Sequence, residues 1–254
     1  RIQALLTARS DFTLDDLRAL QRDTHLAPAA VLARTLAPRA TRLAPGSKVA
    51  AALAAWDGDY AAGSAGALAF ELVAAGLIEA LEAQAQSRQV SPAWRPFTRL
   101  TRLVERAGED LEPALANALK RAEAPFARHR TWGGLHRLRL VHPLGRLPWL
   151  AARLPRLDLP AGGTNETLMK SMHPVTRKEH ATGFAANARF LADLAEPDRT
   201  HAIVLGGQDG WPGSSTMFDM VAPWRKGDTA QLPVSDAGLA AHFPHQTTIK
   251  PADA

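Results

Sequence analysis

The chain has 254 residues, of which 46% are hydrophobic, 22% charged and 6% aromatic, a balance that suits one large globular domain or two smaller ones. No apolar run nears the roughly 18 residues of a membrane-spanning helix, and the absence of cysteine excludes disulfides, thiol nucleophiles and Cys-type zinc sites. Thirty basic and 25 acidic residues leave a formal charge of +5, and no acid interrupts residues 124–157, where Arg128, Arg130, Arg137, Arg139, Arg146, Arg153 and Arg156 lie.

The first half reads as helices. Thr13 is a capping residue with Asp16 at the third helical position, and Phe12 and Leu17 flank the cap at hydrophobic-staple spacing. That helix is expected to reach about His25. Pro28 opens a second, short helix that Pro38 is expected to end. Ser47 caps a third over residues 48–56, broken by Asp57-Gly58-Asp59. Residues 65–86 form the longest candidate and show no clean apolar stripe, so neighbours are expected to bury much of its circumference. Residues 98–106 and 110–123 form a further pair, with Leu111, Leu115 and Leu119 on one face of the second. Residues 1–125 are therefore expected to be a helical region.

The second half, residues 126–254, is expected to be strand-rich with long loops. Residues 135–141 alternate apolar and polar for most of their length. The prolines at 143, 148, 155 and 160 predict an irregular, extended stretch. Residues 183–193 offer Phe184, Ala186, Ala188 and Phe190 at alternate positions, a second strand. Residues 201–205 form a third, and residues 231–234 a fourth, at an edge because of Pro233. The fold class is α+β.

Single motifs say little about chemistry. His129, His136 and His142 lie in the basic segment, but their spacing matches no zinc pattern. Ser214 or Ser215, His201 and Asp219 supply triad residue types without a Gly-x-Ser-x-Gly elbow. The glycine-rich runs at 161–165 and 206–210 lack Walker and dinucleotide spacing. The arginine-rich segment suits nucleic acid or an acidic partner surface, although no recognition motif accompanies it.

The combination is more specific. Trp132-Gly133-Gly134-Leu135-His136, then His142-Pro143-Leu144, then Pro160-Ala161-Gly162-Gly163 with Thr167, resembles the C-terminal part of the β chain in the penicillin acylase family. Gly183-Phe184 through Arg189-Phe190-Leu191-Ala192-Asp193-Leu194 continues it. Leu205-Gly206-Gly207-Gln208-Asp209-Gly210 looks like the family's Gly-Gly-Gln-Ser-Gly segment, with Asp209 in place of serine. Ser214 to Asp219 and Trp224-Arg225-Lys226-Gly227 follow suit. Arg1-Ile2, the Phe12 to Leu17 cap, Gln21-Arg22-Asp23 and Trp56-Asp57-Gly58 extend the resemblance over essentially the whole chain.

The resemblance implies an αββα N-terminal-nucleophile hydrolase. There a precursor cuts itself to free an N-terminal serine, whose α-amino group is the base that activates its own hydroxyl. An oxyanion hole including an asparagine side chain holds the tetrahedral intermediate, and an acyl-enzyme forms. The chain starts at Arg1 rather than methionine, with no signal pattern before it. The nucleophile, the oxyanion asparagine and the calcium positions are therefore expected upstream, leaving this chain without cofactor and inactive alone. The expected partners are the upstream β-chain segment and the α chain of the same precursor, with an acyl amide of β-lactam or acyl-homoserine lactone (quorum-quenching) type as substrate. Neither a membrane nor nucleic acid is expected as a partner, and the location expected by resemblance is periplasmic or secreted. Arg1 is the supporting catalytic residue implied here. Trp132, Gly133, His136, His142, Pro143, Gly206, Gly207, Gln208, Asp219 and Trp224 are expected to shape the fold. The alternative is a non-catalytic basic helical module that binds nucleic acid or an acidic partner, with salt-dependent affinity.

Overall fold

In the computed structural model, which describes residues 1–84, 96–245 and 247–250, seven helices fill the first half. They are α1 (Ile2–Leu6), α2 (Leu14–Leu20), α3 (Ala27–Leu43), α4 (Lys48–Ala54), α5 (Ala65–Gln84), α6 (Pro96–Arg106) and α7 (Leu111–His129). A one-turn helix α8 (Trp132–Leu135) then leads into β1 (His136–Val141), followed by α9 (Pro148–Ala151) and β2 (Arg156–Pro160). Short elements complete the chain: β3 (Ser171–Met172), β4 (His180–Ala181), β5 (Phe184–Ala185), β6 (Arg189–Leu191), β7 (His201–Ile203), α10 (Val221–Lys226), β8 (Ala230–Gln231) and α11 (Asp236–His242). The architecture is α+β. The chain divides into two compact units, one of Arg1–Ser10 with Arg22–Ala186, the other of Asp11–Gln21 with Asn187–Ala254.

In the first unit α5 is the central helix, flanked by α4, α6 and α7. Ala67, Leu68, Ala69, Leu72 and Leu77 are all fully buried, which explains the missing stripe: a helix covered on most sides needs no polar face. Its continuation through residues 85 and 86 lies outside the described residues. A Cβ at Gly76 would stand 2.7 Å from the Ala118 Cβ, so the glycine lets α5 and α7 approach closely. Leu115 and Leu119 of α7 face that contact and are buried.

Pro38 does not end its helix. It lies inside α3, exposed together with Arg34, whose carbonyl would otherwise accept the missing N–H and which sits on the solvent-facing side. Leu32, Ala33, Leu36, Ala37 and Ala40 are buried on the opposite side and outweigh the break. Pro125 likewise lies inside α7, which runs on to His129 rather than stopping at residue 123. The helix α2 is shorter than expected. It keeps its cap, with Thr13 and Asp16 exchanging both bonds of a capping box, but ends at Leu20. His25 instead pairs with Asp59 as an isolated bridge.

The strands are short, so coil dominates the second half. In the first unit β1 lies between β2, antiparallel with Leu138 opposite Leu159, and β4, parallel with His136 opposite His180. The expected irregular stretch thus contains strand β2, whose Pro160 is tolerated at an edge strand's end. β3 and β5 pair separately. In the second unit β6, β7 and β8 form an antiparallel sheet, with β8 at an edge. Residues 183–193 are two strands rather than one, and β6 is turned over. Arg189 and Leu191 are buried, while Phe190 is 61% exposed. The Arg189 guanidinium lies 4.3 Å over the Trp224 ring, and its Nη1 donates to the Trp224 carbonyl at 2.5 Å, which accommodates the charge inside.

Candidate functional site

The densest cluster of titratable groups surrounds Trp132 in the first unit. Trp132 is fully buried, with its Nε1 donating to the Gly163 carbonyl at 2.9 Å. Gly133 lets the chain pass close to its neighbours, since a Cβ there would meet the Pro160 Cβ at 2.6 Å. The next inward residue of β1 is His136, stacked on the Trp132 ring at 4.8 Å. His173 and His180 lie 5.3 and 5.1 Å from His136 between ring centroids. His173 Nδ1 donates to the Pro174 carbonyl, so its Nε2 accepts from the Thr164 hydroxyl at 2.7 Å. Asn165 closes the loop by accepting from the His173 backbone N–H at 2.7 Å.

Burial keeps these imidazoles neutral. It lowers the His136 pKa to about 2, helped by His173 and His180, and the His173 pKa to about 4; His180 is lowered by the same cause. Nearby, the Tyr60 hydroxyl donates to Glu71 Oε1 at 2.7 Å. Burial raises Glu71 to about 7 against the opposing effect of that bond, and raises Tyr60 well above its ordinary value.

A serine–histidine pair lies here beside the Thr164–His173 contact. Ser171 Oγ and His136 Nε2 are 2.8 Å apart. Both side chains are buried, Ser171 also donates to Thr182 Oγ1, and no carboxylate orients His136, whose Nδ1 has no hydrogen bond. An imidazole with a pKa near 2 is a poor base at neutral pH, so the pair is structural. Sequence reading missed Ser171, His173, His180, Tyr60 and Glu71. They are scattered over 120 positions, Glu71 in α5 and the others in short or irregular segments, and only folding brings them together.

The other anticipated residues separate into local roles. Arg1, exposed at the start of α1, is held side-on by Asp23. His142 Nδ1 accepts from the Leu144 N–H at 3.1 Å and caps the turn that begins at exposed Pro143. In the second unit Gly206 adopts φ +130°, and a Cβ at Gly207 would meet the Thr216 carbonyl at 2.1 Å. The Gln208 backbone N–H donates to that same carbonyl at 2.8 Å and to Asp219 Oδ1 at 3.3 Å. Trp224 is buried and donates to the Asn187 carbonyl at 2.8 Å.

No triad forms from the residue types that suggested one. Ser214 Oγ bonds Asp209, His201 lies 3.4 Å from the Thr229 hydroxyl, and Asp219 serves Gln208. Among the described residues no group of three or more His, Asp or Glu side chains is arranged to hold a metal. His129 bonds the Gly134 carbonyl rather than joining His136 and His142. The basic segment is partly neutralised: Arg137 pairs with Asp158 at 2.7 Å, and Arg139 with Asp158 and Glu179.

Comparison with known proteins gives a consistent result across both units. The penicillin amidase family model matches residues 1–241. The chain is 29% identical to the penicillin acylase 2 proenzyme of Pseudomonas sp. (strain SE83) over 92% of its own length and 32% of that protein. It thus spans about a third of the length of the curated relative it matches.

Proposed function

The chain belongs to the penicillin amidase family, and we propose that it forms the C-terminal portion of the β chain of a hydrolase that cleaves an acyl side chain from an amide. The observation that carries this reading is the family match, which runs through both compact units rather than one motif. A segment outside these 254 residues supplies the N-terminal serine, its α-amino base, the oxyanion asparagine and the calcium site. The strand region here joins that segment in an αββα fold. The serine oxygen attacks the acyl carbonyl while the α-amine takes the hydroxyl proton. The protonated amine product leaves, and water then releases the acid from the acyl-enzyme. The β-lactam and acyl-homoserine lactone amides are the substrate types this reading favours, in an exported, periplasmic setting.

Two features of the chain agree with a supporting role. Among the described residues the Ser171–His136 pair is buried and its histidine is a weak base, which agrees with a supporting role. Arg1 presents donors at the exposed start of α1, suited to ordering the oxyanion asparagine or a substrate carboxylate. The pairing of Arg137 and Arg139 with acids weakens the nucleic-acid alternative, because paired arginines release fewer counterions. The test compares the purified 254-residue chain with the processed product of the whole precursor on an acyl p-nitroanilide. Hydrolysis is expected only from the latter, and it should vanish when the N-terminal serine becomes alanine. Acid release by the 254-residue chain alone would overturn the proposal.

A further inference from the structure

Arg1 and Asp23 meet in a geometry that fixes the guanidinium in two respects. Arg1 Nε donates to Asp23 Oδ1 at 3.3 Å and Oδ2 at 3.2 Å, and Nη2 donates to Oδ2 at 2.5 Å. A guanidinium carries five N–H donors in one rigid plane. The carboxylate takes the edge formed by Nε and Nη2, so the edge formed by Nη1 and Nη2 points away from it. That second edge carries two parallel N–H groups, the fork that matches carbonyl and carboxylate oxygens. The bond to Asp23 also raises the Arg1 pKa further, so the fork stays charged.

The anchor is better fixed than the group it holds. The Asp23 side chain is 13% exposed against 36% for Arg1. Asp23 Oδ1 accepts from the His25 N–H at 3.1 Å, and the Asp23 carbonyl accepts from the Met169 N–H at 2.9 Å. The next residue is tied down as well: Thr24 Oγ1 donates to Asp59 Oδ1 at 2.5 Å, and its carbonyl accepts from the Tyr60 N–H at 3.0 Å. Asp23 is therefore joined to the segments that carry Tyr60 and the Trp132 cluster. An ion pair with a half-exposed arginine adds little stability, so such bracing has a small return in folding alone.

We propose that Asp23 is a positioning residue, holding the Arg1 guanidinium side-on so that its free edge faces a carbonyl or carboxylate oxygen in the acyl-amide site. The inference rests on the role given to Arg1 under the proposed function, and its test separates the two. The processed product of the whole precursor is prepared with Asp23→Asn, Asp23→Ala, Asp23→Glu, Arg1→Ala and the Arg1→Ala/Asp23→Ala pair. Two readouts are taken: the rate at which phenylglyoxal labels Arg1, mapped by mass spectrometry, and kcat and KM on an acyl p-nitroanilide.

Releasing the side-on pair should speed Arg1 labelling about fivefold in Asp23→Asn and lower kcat about tenfold, with KM within about twofold. Asp23→Glu should recover part of kcat, and Asp23→Ala should cost nothing further once Arg1 is alanine. Unchanged labelling in Asp23→Asn overturns the proposal, as does additive loss in the double variant. Faster labelling with unchanged kcat also overturns it and leaves the acylase reading intact. A wild-type enzyme that hydrolyses no acyl amide overturns the acylase reading itself.

Discussion

Acidification from pH 6.5 to 4.5 should destabilise the first unit through its buried histidines, and replacing Glu71 should sharpen the loss. His136 and His173 have native pKa values near 2 and 4, below the ordinary 6.5. Their stabilisation is fully present above pH 6.5 and is lost as pH falls, because the unfolded chain takes up protons that the native state refuses. Each contributes about 1.4 kcal/mol per pH unit, or about 5 kcal/mol together over two units. Glu71 works the other way. Its native pKa of about 7 exceeds the ordinary 4.5, so its penalty is greatest above pH 7 and fades as pH falls, returning about 2 kcal/mol between pH 6.5 and 4.5. The net loss is about 3 kcal/mol, with lowered His180 adding in the same direction. That is a large part of the 5–15 kcal/mol typical of a folded domain. In Glu71→Gln the amide oxygen can still accept from Tyr60 while the opposing titration disappears, so the dependence on pH should become about twice as steep. Urea unfolding followed by tryptophan fluorescence at half-unit pH steps measures both slopes. A flat wild-type profile between pH 6.5 and 4.5, or equal slopes for the two proteins, would refute the linkage.

Pro38→Ala should raise stability by about 1–2 kcal/mol, since it restores the N–H bond to the Arg34 carbonyl at an exposed site; a thermal melt shifted downward would contradict this. Thr13→Ala removes the acceptor for the Asp16 N–H and should cost the second unit about 1 kcal/mol, visible as faster amide exchange across α2. Gly207→Ala drives a Cβ onto the Thr216 carbonyl and should cost about 1–3 kcal/mol, with exchange of the Gln208 amide accelerated first. Arg139→Ala should change stability by less than about 1 kcal/mol, as expected for an exposed pair, and a short DNA duplex should bind neither protein with a measurable salt slope.

Local rules were the most legible part of the sequence. Thr13 with Asp16, Ser47 before α4, and the leucines of α7 each depend on neighbours within a turn or two, and all three appear as read. Pro38 misleads because a helix with one buried side tolerates an exposed break, and burial is a tertiary property. The face of β6 is illegible for a related reason: an arginine reads as polar and outward until Trp224, 35 positions later, offers it a ring and a carbonyl. The Trp132 cluster was half visible. His136 stood in a motif with Trp132, but His173, His180 and Glu71 follow no periodicity and meet only through the pairing of β1 with β4 and the packing of α5. Asp23 belongs to the Gln21-Arg22-Asp23 motif, and its pairing with Arg1, 22 positions away, is a matter of geometry alone.

The most direct measurement is to trap the acyl-enzyme of the whole precursor's processed product by acid-quenching it with an activated acyl ester, then to map the adduct by peptide mass spectrometry. The acyl mass is expected on an N-terminal serine outside these 254 residues, with Ser171, Ser214 and Ser215 unmodified. An acyl group on Ser171, or on any other residue of this chain at stoichiometric yield, would contradict the assignment of a supporting role.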